Sequence, residues 1–274
     1  MDVIVNADDL GISEAVNAST FDFIKRGRVT SATLLANGPS IEEACSQLGG
    51  DPGCSFGAHL NVTEFRPLSG PEKLQAIVND DGSFRELAIR QVPIDRVLSE
   101  GVFDEFCAQI DRLYSLGVQI SHIDSHHYIL SIPRMLLVLK RVQKRYGIRK
   151  ARISRNIYAG GLPDEIDVTP HALGIDPQLG DRVSRSLRLK KWAYNWVLRN
   201  YYRTKTCDGF SGFRLFYEYA KNQPRNQGMN HRTFEVNVHP ANPYYDADEE
   251  QILAGSWEQD LNFPVRLISY DQLG

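Results

Sequence analysis

Val3-Ile4-Val5 begins an apolar, β-branched run that leads into Asn6-Ala7-Asp8-Asp9-Leu10-Gly11. A run of this kind predicts a buried strand that stops at two adjacent carboxylates. Ser13 then caps a helix through Val16, Phe21, Phe23 and Ile24, and Gly27 ends it. Residues 31–36 predict a second buried strand. Ser40 and Glu43 have capping-box spacing for a helix through Ala44 and Leu48, which Gly49 and Gly50 end. Residues 55–61 predict a third strand. Three strand-helix units in succession imply a parallel sheet or barrel, in which functional groups gather where strands end.

The periodicity lapses over 62–92, where Asn79-Asp-Asp-Gly-Ser83 has the composition of a hairpin turn. Pro93 opens a helix to about Leu116 that Gly101 threatens to interrupt. Residues 118–123 predict a fourth strand, which runs into His122-Ile-Asp124-Ser-His126-His127. Ile132-Pro133 starts a helix through Leu136, Leu137 and Val142 to Gly147. Residues 151–153 predict a short fifth strand, and 156–181, rich in Gly, Pro and Asp, an irregular loop. Further strands are expected near 209–210, 233–238 and 265–269, with a helix over 213–221 between the first two. No repeat, low-complexity tract or Gly/Ser linker divides the chain. The expectation is one α/β domain over 1–274, an irregular (β/α) barrel with fewer than eight strands and irregular insertions near 62–92 and 156–232.

Composition adds little to this. The 274 residues are 42% apolar and 24% charged, which is ordinary for a globular protein, and the net charge of −3 by itself says nothing about nucleic acid or membranes; no nucleic-acid partner is expected, because nothing resembling a nucleic-acid module accompanies the basic residues. No apolar run approaches a membrane span and no leader precedes the first strand, so a cytoplasmic location is expected. Cys45, Cys54, Cys107 and Cys207 lack metal-finger spacing and read as reduced thiols.

Chemistry collects at the predicted strand ends. Asp8 and Asp9 close the first strand and His59 the third; His122, Asp124, His126 and His127 lie at the fourth, and His239 at another. Each has a plain reading alone: Asp8 and Asp9 as a turn and cap, His59 as a hydrogen-bonded core residue, His126-His127 as a surface pair, His239-Pro240 as a strand terminator. Their convergence on one face of a strand-helix fold favours a site. Two imidazoles and one carboxylate around an open position suit a divalent metal performing hydrolysis. Zinc or magnesium is expected, and nickel, cobalt, manganese and iron are alternatives, because nitrogen and oxygen ligands discriminate weakly. A neighbouring carboxylate then takes a proton from the attacking water, a histidine opposite protonates the leaving group, and an arginine orients the base.

Asn6-Ala-Asp-Asp-Leu-Gly-Ile-Ser13, Gly57-Ala-His-Leu-Asn-Val-Thr63 with Arg66-Pro-Leu68, His122-Ile-Asp-Ser-His-His127 and Val238-His-Pro240 resemble the signature blocks of the YdjC-like carbohydrate deacetylases, the family that includes chitooligosaccharide deacetylase. The resemblance implies a barrel related to the polysaccharide deacetylases that removes N-acetyl groups from sugars with a divalent metal. It implies Asp9, His59 and His126 as metal ligands, Asp8 as general base and His239 as general acid. His122, four residues before His126, is an alternative ligand. Asp124 and His127 are expected to support the ligands, and Arg152, in an R-x-x-R pair with Arg155, to orient the base. Tyr128 stands where several members have a third histidine, and 156–232 has no counterpart.

The stretch bounded by Arg182 and Lys205 holds eight Lys or Arg residues and no acid, interleaved with Trp192, Tyr194, Trp196, Tyr201 and Tyr202. It reads as a solvated helix whose aromatic side packs on the barrel, or as a contact for an anionic membrane surface or a nucleotide- or lipid-linked glycan, in which case the protein sits peripherally at the inner face of the membrane. The expected partner is an N-acetylated sugar, with a homodimer as the candidate assembly. The rival functions are hydrolysis of another acyl or phosphoryl ester and non-catalytic glycan binding.

Overall fold

The computed structural model describes residues 1–49, 53–156, 185–223, 231–243 and 247–274. Seven strands run as β1 (Asp2–Leu10), β2 (Ser31–Leu34), β3 (Ser55–Leu60), β4 (Ile120–Ser125), β5 (Gly209–Gly212), β6 (Thr233–Val238) and β7 (Arg266–Leu267). All pair in parallel, in the order β4-β3-β2-β1-β6-β5, with β7 beside the start of β1. A parallel sheet buried on both faces needs continuous apolar strands, and Val3, Ile4 and Val5 are fully buried. The strands' carboxyl ends therefore share one rim, where a site is expected.

The sheet curls because its two edges are bridged. Ile123 N–H donates to Lys150 O and Arg152 N–H to Ile123 O, while Ala151 N–H donates to Lys205 O and Asn156 N–H to Phe210 O. Residues 149–156 thus tie β4 to the segment leading into β5. The fifth strand expected at 151–153 is reduced to isolated bridges. Its ladder stops because the Asn195 side chain takes both backbone groups of Ser154, at 3.0 Å each. That short crossing carries Arg152 into the barrel.

The described α-helices are α1 (Glu14–Lys25), α2 (Ile41–Ser46), α3 (Arg96–Ser115), α4 (Met135–Tyr146), α5 (Arg185–Trp196), α6 (Phe213–Lys221) and α7 (Ala247–Ala254). Ser13 Oγ caps α1 by accepting from Val16 N–H. Ser40 makes no such cap: its N–H already donates to Gly11 O, and Glu43 turns to Asn17 and Gln47. Gly101 does not interrupt α3. A Cβ there would stand 2.8 Å from Lys73 O, so the glycine lets the 71–77 segment press against the helix. The turn expected at Asn79–Ser83 forms, flanked by the Val78–Phe84 antiparallel bridge. Most of the irregular loop expected over 156–181 lies outside the described residues.

Gly57 on β3 shows how tightly the barrel interior is filled. A Cβ on it would lie 2.5 Å from the His122 ring, which is itself stacked on Tyr270 at 3.6 Å and wholly buried. Gly57→Ala is expected to lower stability by roughly 1–3 kcal/mol through overpacking. Urea denaturation would read this as a lower midpoint at constant slope, and an unchanged midpoint would contradict the packing described.

Candidate metal centre

The two carboxylates at the rim owe their placement to a bulge. Successive strand residues point to opposite faces, which would send one aspartate away from the barrel interior. Instead β1 fits three steps, from Ala7 to Leu10, against two in β2, from Ala32 to Leu34. Asp9 takes a left-handed φ of 66° within this irregularity. β1 therefore does not stop at the aspartates, as the sequence suggests, but carries both through a bulge that turns them inward. Asp8 and Asp9 are 3% and 1% exposed.

The pair has two different environments. Asp8 receives a bidentate guanidinium from Arg152, at 2.6 and 2.7 Å, and amide donors from Asn6 at 2.8 Å and Asn237 at 3.0 Å. Burial opposes ionisation of Asp8, but the Arg152 charge outweighs it and holds the carboxyl well below its usual range. Asp9 faces imidazoles. Its Oδ1 is 2.8 Å from His126 Nδ1 and 3.2 Å from His59 Nε2, and Asn242 donates to its Oδ2 at 3.3 Å.

These three atoms converge at ion-pair distance. Asp9 Oδ1 is buried and has no aligned hydrogen bond among the described residues, although two ring nitrogens stand beside it. Such spacing is what ligands adopt around a shared cation at about 2.0–2.2 Å from each, so the residues present fit a divalent metal. On its far side, His59 Nδ1 is 2.7 Å from Asp124 Oδ1, and Thr33 Oγ1 donates to Asp124 Oδ2 at 3.0 Å. A carboxylate behind a ligating imidazole fixes its tautomer and raises its basicity.

His127 lies next to His126 but turns elsewhere, with Nδ1 3.0 Å from Thr63 Oγ1. With Tyr128 it forms two successive left-handed residues, φ 49° and 52°, held by Arg90 Nη2 donating to His127 O at 2.7 Å. Strain of this kind costs about 1–3 kcal/mol per residue and collects at functional sites. His239 Nε2 is 3.7 Å from Asp8 Oδ2 and 3.4 Å from Asn237 Nδ2. His122 stands apart from the convergence: it lies deeper in the barrel, against Tyr270 and Gly57, with Nδ1 beside Ser121 Oγ. A spacing of four brings residues together on a helix, whereas His122 is on β4 and His126 lies past its end.

Glu64 is the acidic residue that the sequence did not single out. Its Oε2 is 3.5 Å from His126 Nε2 and its Oε1 3.8 Å from His127 Nε2. Asn61 places it, accepting from Glu64 N–H and donating to Glu64 O. Its signal was only adjacency to Thr63 at the end of the β3 block. Glu235 was also missed; it binds Arg152 Nε at 2.7 Å and accepts from the Tyr270 hydroxyl. Burial raises its pKa to about 7 against the pull of Arg152.

With this geometry in view, likeness to known proteins can be placed. The family model for YdjC-like protein matches residues 2–265. The chain belongs to the YdjC-like family. A carbohydrate deacetylase of Geobacillus stearothermophilus is 36% identical over 159 residues, covering 56% of this chain and 60% of that protein. Carbohydrate deacetylase 1 of Listeria innocua is 34% identical over 178 residues, covering 64% and 71%. The YdjC-like chain thus matches less than two thirds of the Geobacillus protein's length. A solved Enterococcus faecalis structure, of a protein named for cellobiose-phosphate cleavage, superposes with a TM-score of 0.72 at 22% identity, covering 100% of this chain and 98% of that one. That likeness supports the fold.

Protonation of the imidazoles would make cation binding pH-dependent in this candidate centre of the YdjC-like chain. Burial disfavours the His59 imidazolium, yet Asp124 and Asp9 outweigh it and push its pKa up to about 10. For His126 burial is likewise outweighed, by Asp9 and Glu64, to about 9. Both values lie above the unfolded value of about 6.5. The cation-free protein therefore holds the stability of these ion pairs in full below about pH 6.5 and loses it as pH rises through about 9 and 10. A cation must displace the same protons, so its affinity climbs by about one decade per pH unit for each proton displaced. The thermal shift produced by a fixed concentration of free manganese should grow from about pH 6 to about pH 9, and a shift independent of pH would contradict this centre.

Proposed function

We propose that the chain is a carbohydrate N-deacetylase, a one-domain hydrolase that removes the acetyl group from an N-acetylated sugar, free, nucleotide-linked or lipid-linked. The convergence of Asp9, His59 and His126 beside an arginine-held Asp8 carries this reading. The names of its relatives support it.

Asp9, His59 and His126 would hold a divalent cation, zinc or magnesium, which supplies Lewis acidity to an acetamide carbonyl and to water when bound. The chain's own groups handle the protons. Asp8 accepts one from the attacking water, its oxygens fixed by Arg152, Asn6 and Asn237 so that no reorganisation is needed at that moment. His239 donates one to the amine as the C–N bond breaks. Burial lowers the His239 pKa against the pull of Asp8, which makes its imidazolium the stronger acid. Arg152 acts through Asp8, as a positioning residue. The basic and aromatic segment, described from residue 185 onward, is the part we assign to contact with an anionic carrier or surface, with the protein cytoplasmic and peripheral at the inner face of a membrane.

Acetate release from a panel of N-acetyl sugars, set against esterase and phosphatase substrates, tests the reaction; turnover confined to the esters would replace it. Asp8→Asn should reduce deacetylation by about 10²–10⁴-fold while elemental analysis finds the cation still bound. His59→Ala or His126→Ala should instead lose the cation. Near-normal turnover by the Asp8 variant would remove it from the role of base.

A further inference from the structure

Helix α5 and the turn after it send Tyr194 and Leu198 into the core, yet large apolar side chains also occupy the outward face. The inward face of α5 carries Tyr194 and Asn195, both buried, with Lys191 half-buried beside them. Tyr194 donates from its hydroxyl to Leu130 O, and Asn195 exchanges two hydrogen bonds with the Ser154 backbone. Its outward face carries Leu189, Trp192 and Trp196, exposed by 64%, 63% and 50%. Those three are spaced i, i+3, i+7, the pattern that normally marks the face turned to a core. Tyr201, 73% exposed, continues the apolar surface past the helix end. Among the described residues, four of the seven exposed large apolar side chains lie on this one segment, so the patch has a cause other than random scatter.

The surrounding charge decides what covers it. Arg185, Arg188 and Lys190 are exposed along α5, Arg203 follows, and no acidic residue occurs from Arg182 to Lys205. Two copies meeting through this face would oppose basic segment to basic segment, which disfavours a symmetric dimer here. Leucine and tryptophan bordered by arginine and lysine suit the boundary of an anionic bilayer, where indoles settle at headgroup depth and each basic residue near the surface contributes about 1 kcal/mol.

We propose that the outward face of α5, with Leu189, Trp192, Trp196 and Tyr201, is a docking surface for a membrane rich in anionic lipid. The helix is anchored to Leu130 and Ser154, and Tyr128, nearby in the chain, touches Asn237, which donates to Asp8. Docking therefore holds the rim of the candidate centre close to the lipid surface. Resting on the deacetylase reading, this selects a lipid-linked N-acetylated sugar as the substrate class.

The full chain would be pelleted with vesicles of phosphatidylcholine alone and of phosphatidylcholine mixed with phosphatidylglycerol. Binding to the anionic vesicles is expected, weakened by salt, with a blue shift of tryptophan emission. The third tryptophan, Trp257, is buried and contributes little to that shift. The double change Trp192→Ser and Trp196→Ser, at exposed positions, should lower partitioning by about tenfold or more with thermal unfolding unchanged. Equal binding to both vesicle types, wild-type binding by the double variant, or a solution dimer that the double variant dissolves would each overturn the proposal. Intact vesicle binding without acetate release from any sugar would instead remove the deacetylase reading and leave the docking surface standing.

Discussion

One buried arginine sets the terms for the rest of the rim. Arg152 meets Asp8 from β1, Asp124 from β4 and Glu235 from β6, at 2.6 to 2.9 Å. Its own backbone comes from the crossing that bridges the sheet edges. Removing one partner of such a buried network costs about 3–5 kcal/mol, because the remaining charges lie uncompensated. Arg152 therefore fixes where β1, β4 and β6 can sit relative to one another. Glu235 in this network has its pKa raised by burial to about 7 against the pull of Arg152, and the Tyr270 hydroxyl donates to it.

The same network divides the aspartate pair. A carboxylate held by a bidentate guanidinium and two amides is fixed in one orientation, with its partners on the Arg152 side rather than among the imidazoles. Its neighbour Asp9 instead directs Oδ1 toward the ring nitrogens of His59 and His126. The difference arises from a single left-handed residue, Asp9, without which the alternation of the strand would place the two side chains on opposite faces.

How much of this could be read from the chain follows from how local each feature is. The parallel strands at 2–10, 31–34, 55–60 and 233–238 announce themselves through short apolar and β-branched runs such as Val3-Ile4-Val5, bounded by helix caps and glycines. Histidines and aspartates just past those runs point to the rim. The bulge was hidden, since a strand that ends at Asp8-Asp9 and one that continues through them have the same composition. Glu235 was hidden for another reason: alternating with Phe234 and Val236 on β6, it looks like an ordinary polar strand residue until Arg152 arrives from 83 positions away. The capping box at Ser40 failed in three dimensions because Gly11 O had already taken the N–H that Glu43 would have accepted.

The orientation of α5 belongs to this last class. Composition marks the segment as basic and aromatic, but which aromatic residues turn inward depends on acceptors that the sequence does not display. Tyr194 is buried because its hydroxyl reaches Leu130 O; the expectation that the aromatic side as a whole packs on the barrel is therefore overturned for Trp192 and Trp196, which face outward. Tyr194 and Leu198 join the core, but the needs of that core do not explain the exposed Leu189, Trp192 and Trp196 on the outward face. The attachments of α5 to Leu130 and Ser154 are directional hydrogen bonds, so whatever binds the outer face meets a helix whose angle to the rim is already set. A surface held in that way can orient the centre toward a second phase, which a flexible tether cannot do.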